Sequence, residues 1–378
     1  MNVAITGDSS VGGLVGYNYG SISNSHVTGS VSGENDVGGL VGFNDYGNIS
    51  RSYATASVSG IEKVGGLIGV NAGGLVSNSY ATGNVDSIPT LSSDSFGAVA
   101  TGGLVGVNYG GFIKNSYASG NVTSTVDFAY DESAQSIYGA SKVGGLVGSN
   151  LGSLIENSYA SGNVSSTVDF SYDLEAENTV YGANKVGGLV GLNVSVPIDN
   201  VALGLISNSH ASGSVLSNFN LNVSDAAIIF DLEGANKVGG LVGSSLIGIT
   251  NSSHATGAVE ANTQIESYGV VSNFDINSYA GGLLGNHESN FGYGDGFSVS
   301  AVANSYATGS VRHFIGIDEN SSYSNEYTLL GASGGLIGML SDGAVFNSHA
   351  AGAVSIDGYG INDGSFVVGG LVGFNNKG

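Results

Sequence analysis

Apolar and polar residues alternate over short runs along this chain, and pairs of glycines punctuate the runs. The phrase Val-Gly-Gly-Leu-Val-Gly, with one- or two-letter variants, occurs ten times. Its glycine pairs begin at Gly12, Gly38, Gly65, Gly102, Gly144, Gly187, Gly239, Gly281, Gly334 and Gly369. A short polar turn follows each copy, then a second phrase. That phrase is Asn24–Val31 in the first repeat and returns at Asn78–Val85 and Asn304–Val311, among nine recognisable copies. Val, Ile, Leu and Thr alternating with Gly, Asn and Ser predict strands and turns. No 3.6-residue apolar period predicts a helix. The shortest repeat, Gly12 to Gly38, spans 26 residues, room for three short strands but not for a crossover helix. Self-similar units of this length bury their apolar faces by stacking. The expected fold is therefore all-β: a right-handed parallel β-solenoid of about ten coils, rising ~4.8 Å per coil to a rod roughly 45–50 Å long.

The pattern also assigns sides. Leu14, Leu40, Leu67 and Leu104 are expected to point inward. The flanking Gly13, Gly16, Gly39, Gly42, Gly66 and Gly69 let neighbouring strands approach closely. In the second phrase, alternation sets Asn24, His26, Thr28 and Ser30 outward and Ser25, Val27, Gly29 and Val31 inward, unless a bend after Asn24 reverses the sense.

Between the phrases lies a variable segment. It has six residues in the first two coils (Ser32–Val37, Ser59–Val64) and 21 from Thr123 to Val143. The near-copies Thr123–Tyr130 and Ser165–Tyr172 read as strand, turn, strand, so the middle coils are expected to carry hairpin-like extensions. Two further insertions surround Pro197 and Asn290–Gly296. The organisation expected is a single solenoid over 1–378. It has short coils at 1–85, widened coils at 86–354 and an incomplete terminal coil at 355–378. Neither end shows a polar cap, which points to a segment of a larger protein or to head-to-tail stacking of copies.

Composition narrows the function. Thirty acidic residues against eight basic give a net charge of −22, which repels nucleic acid and anionic membranes. Charged residues make up only 10% of a chain that is 41% apolar, so it is an ordered chain and not an acidic disordered one. There is no cysteine to serve as staple, nucleophile or ligand. No apolar run is long enough to span a bilayer, and Met1–Gly7 lacks the pattern of a signal peptide, so export information is expected outside this segment.

Gly13-Leu14-Val15-Gly16 and its nine counterparts, together with Asn-Ser-Tyr-Ala-Thr-Gly-x-Val, resemble the GLUG-motif family over nearly the whole chain. The resemblance implies a bacterial surface or secreted protein, an extracellular β-solenoid stalk or adhesion module, with any catalysis outside the repeats.

Candidate chemistry is sparse. His287-Glu288-Ser289-Asn290-Phe291 lacks the second histidine of a zinc peptidase, and neither a phosphate-binding loop nor a nucleophile elbow is present. His26, His210, His254 and His349 share a column with Tyr53, Tyr80, Tyr117, Tyr159 and Tyr306, which fits an aromatic stack better than a metal site. Thr28, Thr55, Thr82, Ser119, Ser161, Ser212, Thr256 and Thr308 form a parallel hydroxyl column. Lys142, Lys185 and Lys237 form a basic column that Glu175, Glu177 and Glu233 could neutralise, with an anion site as the alternative. Asp127, Asp131, Glu132, Asp169, Asp173 and Glu175 offer oxygen ligands for calcium, though no known calcium loop is present, and no cofactor is expected otherwise.

The leading expectation is a non-enzymatic extracellular adhesion or scaffold segment. Its partners would be a host or neighbouring cell surface, a glycan or an abiotic surface, with no nucleic acid and no membrane insertion. The alternative is a glycan- or ice-binding module using Tyr53, Tyr80, Tyr117, Tyr159, Thr55 and Thr82 as an exposed ladder. A polysaccharide-cleaving enzyme ranks last, for want of a unique carboxylate cluster.

Overall fold

The computed structural model describes residues 1–88, 97–129, 136–172, 177–198, 201–223, 228–267, 270–289, 300–318, 322–359 and 365–376. Among them every regular element is a strand. Each strand of one repeat pairs in parallel with its counterpart in the next. Four stacked sheets result, with 10, 10, 9 and 18 strands. The first coil shows the plan in Ser9–Gly12, Val15–Asn18, Ser21–Ser23 and His26–Ser32. Four strands therefore occupy a length expected to hold three. Tight corners make this fit: the chain turns at each Gly-Gly pair and again at a left-handed asparagine. From the second coil on, the last strand divides into two pieces, as at Tyr53–Ala54 and Ser57–Gly60.

The leucines line the core as expected. Leu40, Leu67, Leu104, Leu146, Leu189, Leu241, Leu283 and Leu336 are fully buried, whereas Leu14 and Leu371, in the first and last copies, are each 40% exposed for want of a neighbour. Ile22, Ile49, Val76, Ile113, Ile155 and Ile206 form a second buried column. Glycine is required where coils touch. A methyl on Gly66 would overlap the Gly103 carbonyl oxygen, and one on Gly39 would overlap that of Gly66.

The middle coils are widened, but not by hairpins. Val122–Ala129 pairs in parallel with Val164–Tyr172, and Ser136–Gly144 with Glu177–Gly187. The outgoing and returning strands of one coil are not hydrogen-bonded to each other. Their backbone groups are used by the coils above and below, so two parallel sheets run out side by side and meet through side chains. A buried polar seam joins them. Ser166 Oγ lies 2.8 Å from Asn184 Oδ1, Asn184 Nδ2 donates to Ser217 Oγ at 2.6 Å, and Ser217 Oγ lies 2.8 Å from Asn236 Oδ1. The seam ends at His313, whose ring nitrogens lie 2.7 Å from Ser278 Oγ and 2.9 Å from Ser333 Oγ. The insertion at Pro197 is a true hairpin, Val196–Ile198 against Val201–Leu203, and the sole antiparallel pair among the described strands. The insertion at 290–299 lies outside the described residues.

An asparagine ladder holds the inner turns. Asn18, Asn44, Asn71, Asn108 and Asn150 each donate Nδ2 to Oδ1 of the next coil's asparagine at 2.6–2.9 Å, ending on Asn193. Most also reach the carbonyl of the turn that follows, as Asn71 does to Gly74 at 2.9 Å. Asn108 sits mid-ladder and fully buried. Asn108→Leu takes from Asn71 Nδ2 one of its two acceptors and leaves Asn150 Oδ1 without its donor, and is expected to lower unfolding free energy by about 2–4 kcal/mol in urea titration.

Thr250 is the exception in the Ile/Val column. It is fully buried and its Oγ1 has no partner. Thr250→Val keeps the shape and removes the orphan hydroxyl, so it should raise stability by about 1 kcal/mol in the same titration.

Candidate functional site

Each letter of the Asn-Ser-Tyr phrase has a physical task. Asparagine makes the corner. Asn24, Asn78, Asn115, Asn157, Asn208, Asn304 and Asn347 have φ of 45–51°, a left-handed conformation that this residue tolerates well. Arg51 and Ser252, at φ 48° and 50°, take the same corner in two coils. The corner does not reverse the alternation: Asn24, His26 and Ser30 are exposed, while Val27 and Val31 are buried. Serine ties coil to coil. Ser79 Oγ donates to the Ser77 carbonyl at 2.8 Å and accepts the Ser52 N–H at 3.2 Å.

The ring position forms one unbroken stack. His26, Tyr53, Tyr80, Tyr117, Tyr159, His210, His254, Tyr306 and His349 follow one another with centroids 4.7–5.2 Å apart and planes within 10°. Stacking covers both faces of each inner ring and leaves its edge to solvent. A sugar cannot lie on the face of Tyr80 or Tyr117, because a neighbouring ring already does. Beside the stack, Thr55 is exposed and Thr82 half-buried, and Ser119, Ser161, Ser212, Thr256 and Thr308 are exposed.

The other candidates are dispersed. His287 is fully buried, its Nε2 2.9 Å from Ser300 Oγ, and burial pushes its pKa down to about 4. Glu288 serves instead as the partner of Lys237, at 3.7 Å. Of the acidic residues weighed for calcium, Asp131, Glu132, Asp173 and Glu175 lie outside the described residues, as does the side chain of Asp127. Asp169 accepts Asn220 Nδ2 at 2.6 Å. Among the described residues no group of three or more acidic or histidine side chains could hold a metal. The side chains of Glu177 and Glu233 also fall outside the description.

Two surface features were not anticipated. One is a set of exposed tyrosines on the short coils, where Tyr17 and Tyr19, side by side, are 45% and 72% exposed and Tyr46, over Gly73, is 78% exposed. Tyr17 packs against Phe43 at 4.9 Å and Tyr19 at 4.7 Å, and its hydroxyl donates to Asp45 at 3.1 Å. Its signal in the sequence is weak, because Tyr17 and Tyr46 have no counterpart in other coils and Tyr19 has one, Tyr109. The second is a shallow depression on the outer face of the widened coils, lined by Asp169, Asn220, Asn222, Gln264 and Glu266. The copied strand Ser165–Tyr172 is legible in the sequence, but not which side chains gather beside it.

Comparison with known proteins bears on the repeat itself. Models of the GLUG motif match at residues 7–32, 33–59, 62–86, 97–123 and 139–165. No curated protein and no solved structure matches the chain. Among the described residues no helix is long and apolar enough to cross a membrane.

Burial lowers the pKa of His210 and His254, and His210 lowers that of His254 further. Burial also holds His313 at about 3. The fold therefore keeps these rings neutral. As pH falls below the ordinary histidine value of about 6.5, the unfolded chain takes up protons that the folded chain refuses. Thermal midpoints should thus drop steadily as pH falls from 6.5 to 3, and His313→Gln should flatten that fall. Five stretches between residues 7 and 165 thus match the GLUG motif, and each contributes strands to the stacked sheets.

Proposed function

We propose that this chain is a non-enzymatic extracellular scaffold that contacts surfaces through unrepeated side chains on its flanks. The observation that carries this reading is where the recurring residues go. Leucine, asparagine, serine, tyrosine and glycine of the two phrases are all taken up in coil-to-coil contacts. What remains for a partner is what does not repeat. The exposed Tyr17, Tyr19 and Tyr46 present rings with hydroxyls, and an acid beside Tyr17, a surface suited to both apolar and hydrogen-bonding contact. The acidic surface and the absence of cysteine fit a bacterial exterior, in line with the family resemblance.

A second reading, a glycan-binding module, is favoured by the depression at Asn220 and Gln264. Planar amides and carboxylates alternate there, the groups that bond sugar hydroxyls. The stacked rings are a poorer choice, since their faces are covered.

One experiment addresses both readings. The purified protein is applied to abiotic beads, bacterial and epithelial cells, and a glycan array. Tyr19→Ser with Tyr46→Ser is expected to cut bead and cell retention about tenfold and leave the melting midpoint unchanged. Loss of array signal in Asn220→Ala with Gln264→Ala, with retention intact, would favour the glycan module. Wild-type protein that adheres to nothing would reduce the chain to a spacer.

A further inference from the structure

Lys142, Lys185 and Lys237 occupy one register position on three successive coils, on the strands Ser136–Gly144, Glu177–Gly187 and Ile228–Gly239. Ala100 precedes them in the column and Tyr279 follows, both buried. Adjacent parallel strands lie ~4.8 Å apart, so three ammonium groups share about 10 Å of one face. Among the described residues one carboxylate answers them: Glu288, 3.7 Å from Lys237 and at the far end of the column. Asn286 Nδ2 donates to the same carboxylate. Next to Asn286, one coil back, stands Ser244. Both are fully buried, and Ser244 Oγ and Asn286 Oδ1 have no partner.

This arrangement is unfavourable as it stands. Like charges one coil apart repel, and partial burial denies them water. A protein that needed only solubility at these positions would place the lysines on an open face. Burial, with Lys237 and Lys142 nearby, lowers the Lys185 ammonium to about 7, and burial also lowers that of Lys142. Among the described residues the column thus holds more cationic capacity than carboxylates satisfy, and the strand after that of Lys237 carries an orphan hydroxyl, Ser244 Oγ.

We propose that the face carrying Lys142, Lys185 and Lys237 is a binding site for a small oxyanion, a carboxylate or sulfate group, held by Lys142 and Lys185, the two lysines of the column without an ion pair among the described residues. The ligand is small because a long polyanion would meet the repulsion of a chain with net charge −22. The same anionic group can come from free inorganic sulfate or from a sugar acid. Lys185 must carry its proton to bind, so binding draws a proton from solution near neutral pH and weakens as pH rises.

The test is calorimetric titration with sodium sulfate and, separately, with sodium glucuronate at pH 6.0 and 8.5, ionic strength held constant with sodium chloride. Saturable heat at pH 6.0 is expected with at least one anion, with at least tenfold weaker binding at pH 8.5. Lys185→Met should weaken it at least tenfold, and Lys63→Met, which removes a lysine paired with Asp36 at 3.2 Å, should not. Sulfate alone would identify an inorganic ligand, and tighter glucuronate binding a sugar acid. Circular dichroism checks that Lys185→Met is folded. If it is not, lysine-selective NMR of the wild-type protein takes its place, and the Lys185 signal should shift and titrate higher when sulfate is added. No saturable heat with either anion would overturn the proposal. So would wild-type affinity in Lys185→Met, or a Lys185 that already titrates above 10 without ligand because its own acids pair with it.

Discussion

In-register parallel stacking governs this molecule. Because each coil repeats the last, almost every side chain lies against its own kind one coil away. Only groups that are self-complementary prosper under that rule. Amides both donate and accept, hydroxyls do the same, rings stack on rings, and leucine packs on leucine. Charges fail it, since like meets like. This accounts for a chain with 10% charged residues, and for ion pairs found where the repeat is imperfect, as at Lys114 and Glu156 or Lys63 and Asp36.

Much of this is legible without coordinates. The Gly-Leu phrase announces strands, an inner leucine and close approach, and the structure places Leu40, Leu67 and Leu104 in the core. The aromatic column follows from the mutual replacement of tyrosine and histidine at positions 53, 80 and 210. The corners are harder. Nothing in Asn24-Ser25 alone says that the asparagine is left-handed and the serine tucked in, so the number of strands per coil was underestimated. Hairpins at the widened coils were the natural reading of a strand-turn-strand pattern, because sequence reveals the turn but not the partner. The partner proves to be the next coil. The asparagine ladder recurs two residues after the Gly of Val-Gly-Phe-Asn and Val-Gly-Val-Asn, yet a single buried amide looks like turn punctuation until its neighbours are counted.

The same rule separates scaffold from site. A residue present in every coil is already engaged by its copies, which is why the stacked rings offer edges and not faces. The side chains proposed to meet a partner are those that break the pattern: Tyr19 and Tyr46 on the short coils, Asn220 and Gln264 on the widened ones, and the three lysines that stack against expectation. Thr250 shows the opposite case, a departure with no compensating contact among the described residues.

The asparagine ladder also has a direction. From Asn18 to Asn150 each amide donates toward the C-terminal side, and from Asn44 on each accepts from the N-terminal side. The side-chain dipoles therefore point one way and add, as peptide dipoles do in a helix. The first six coils thus carry an internal electric polarity, positive toward the later coils, that ends where Asn193 gives way to Ser245. Symmetric sheets lack such a vector. Here it gives the two ends of the N-terminal stack different electrostatic character, although they are built from almost the same words.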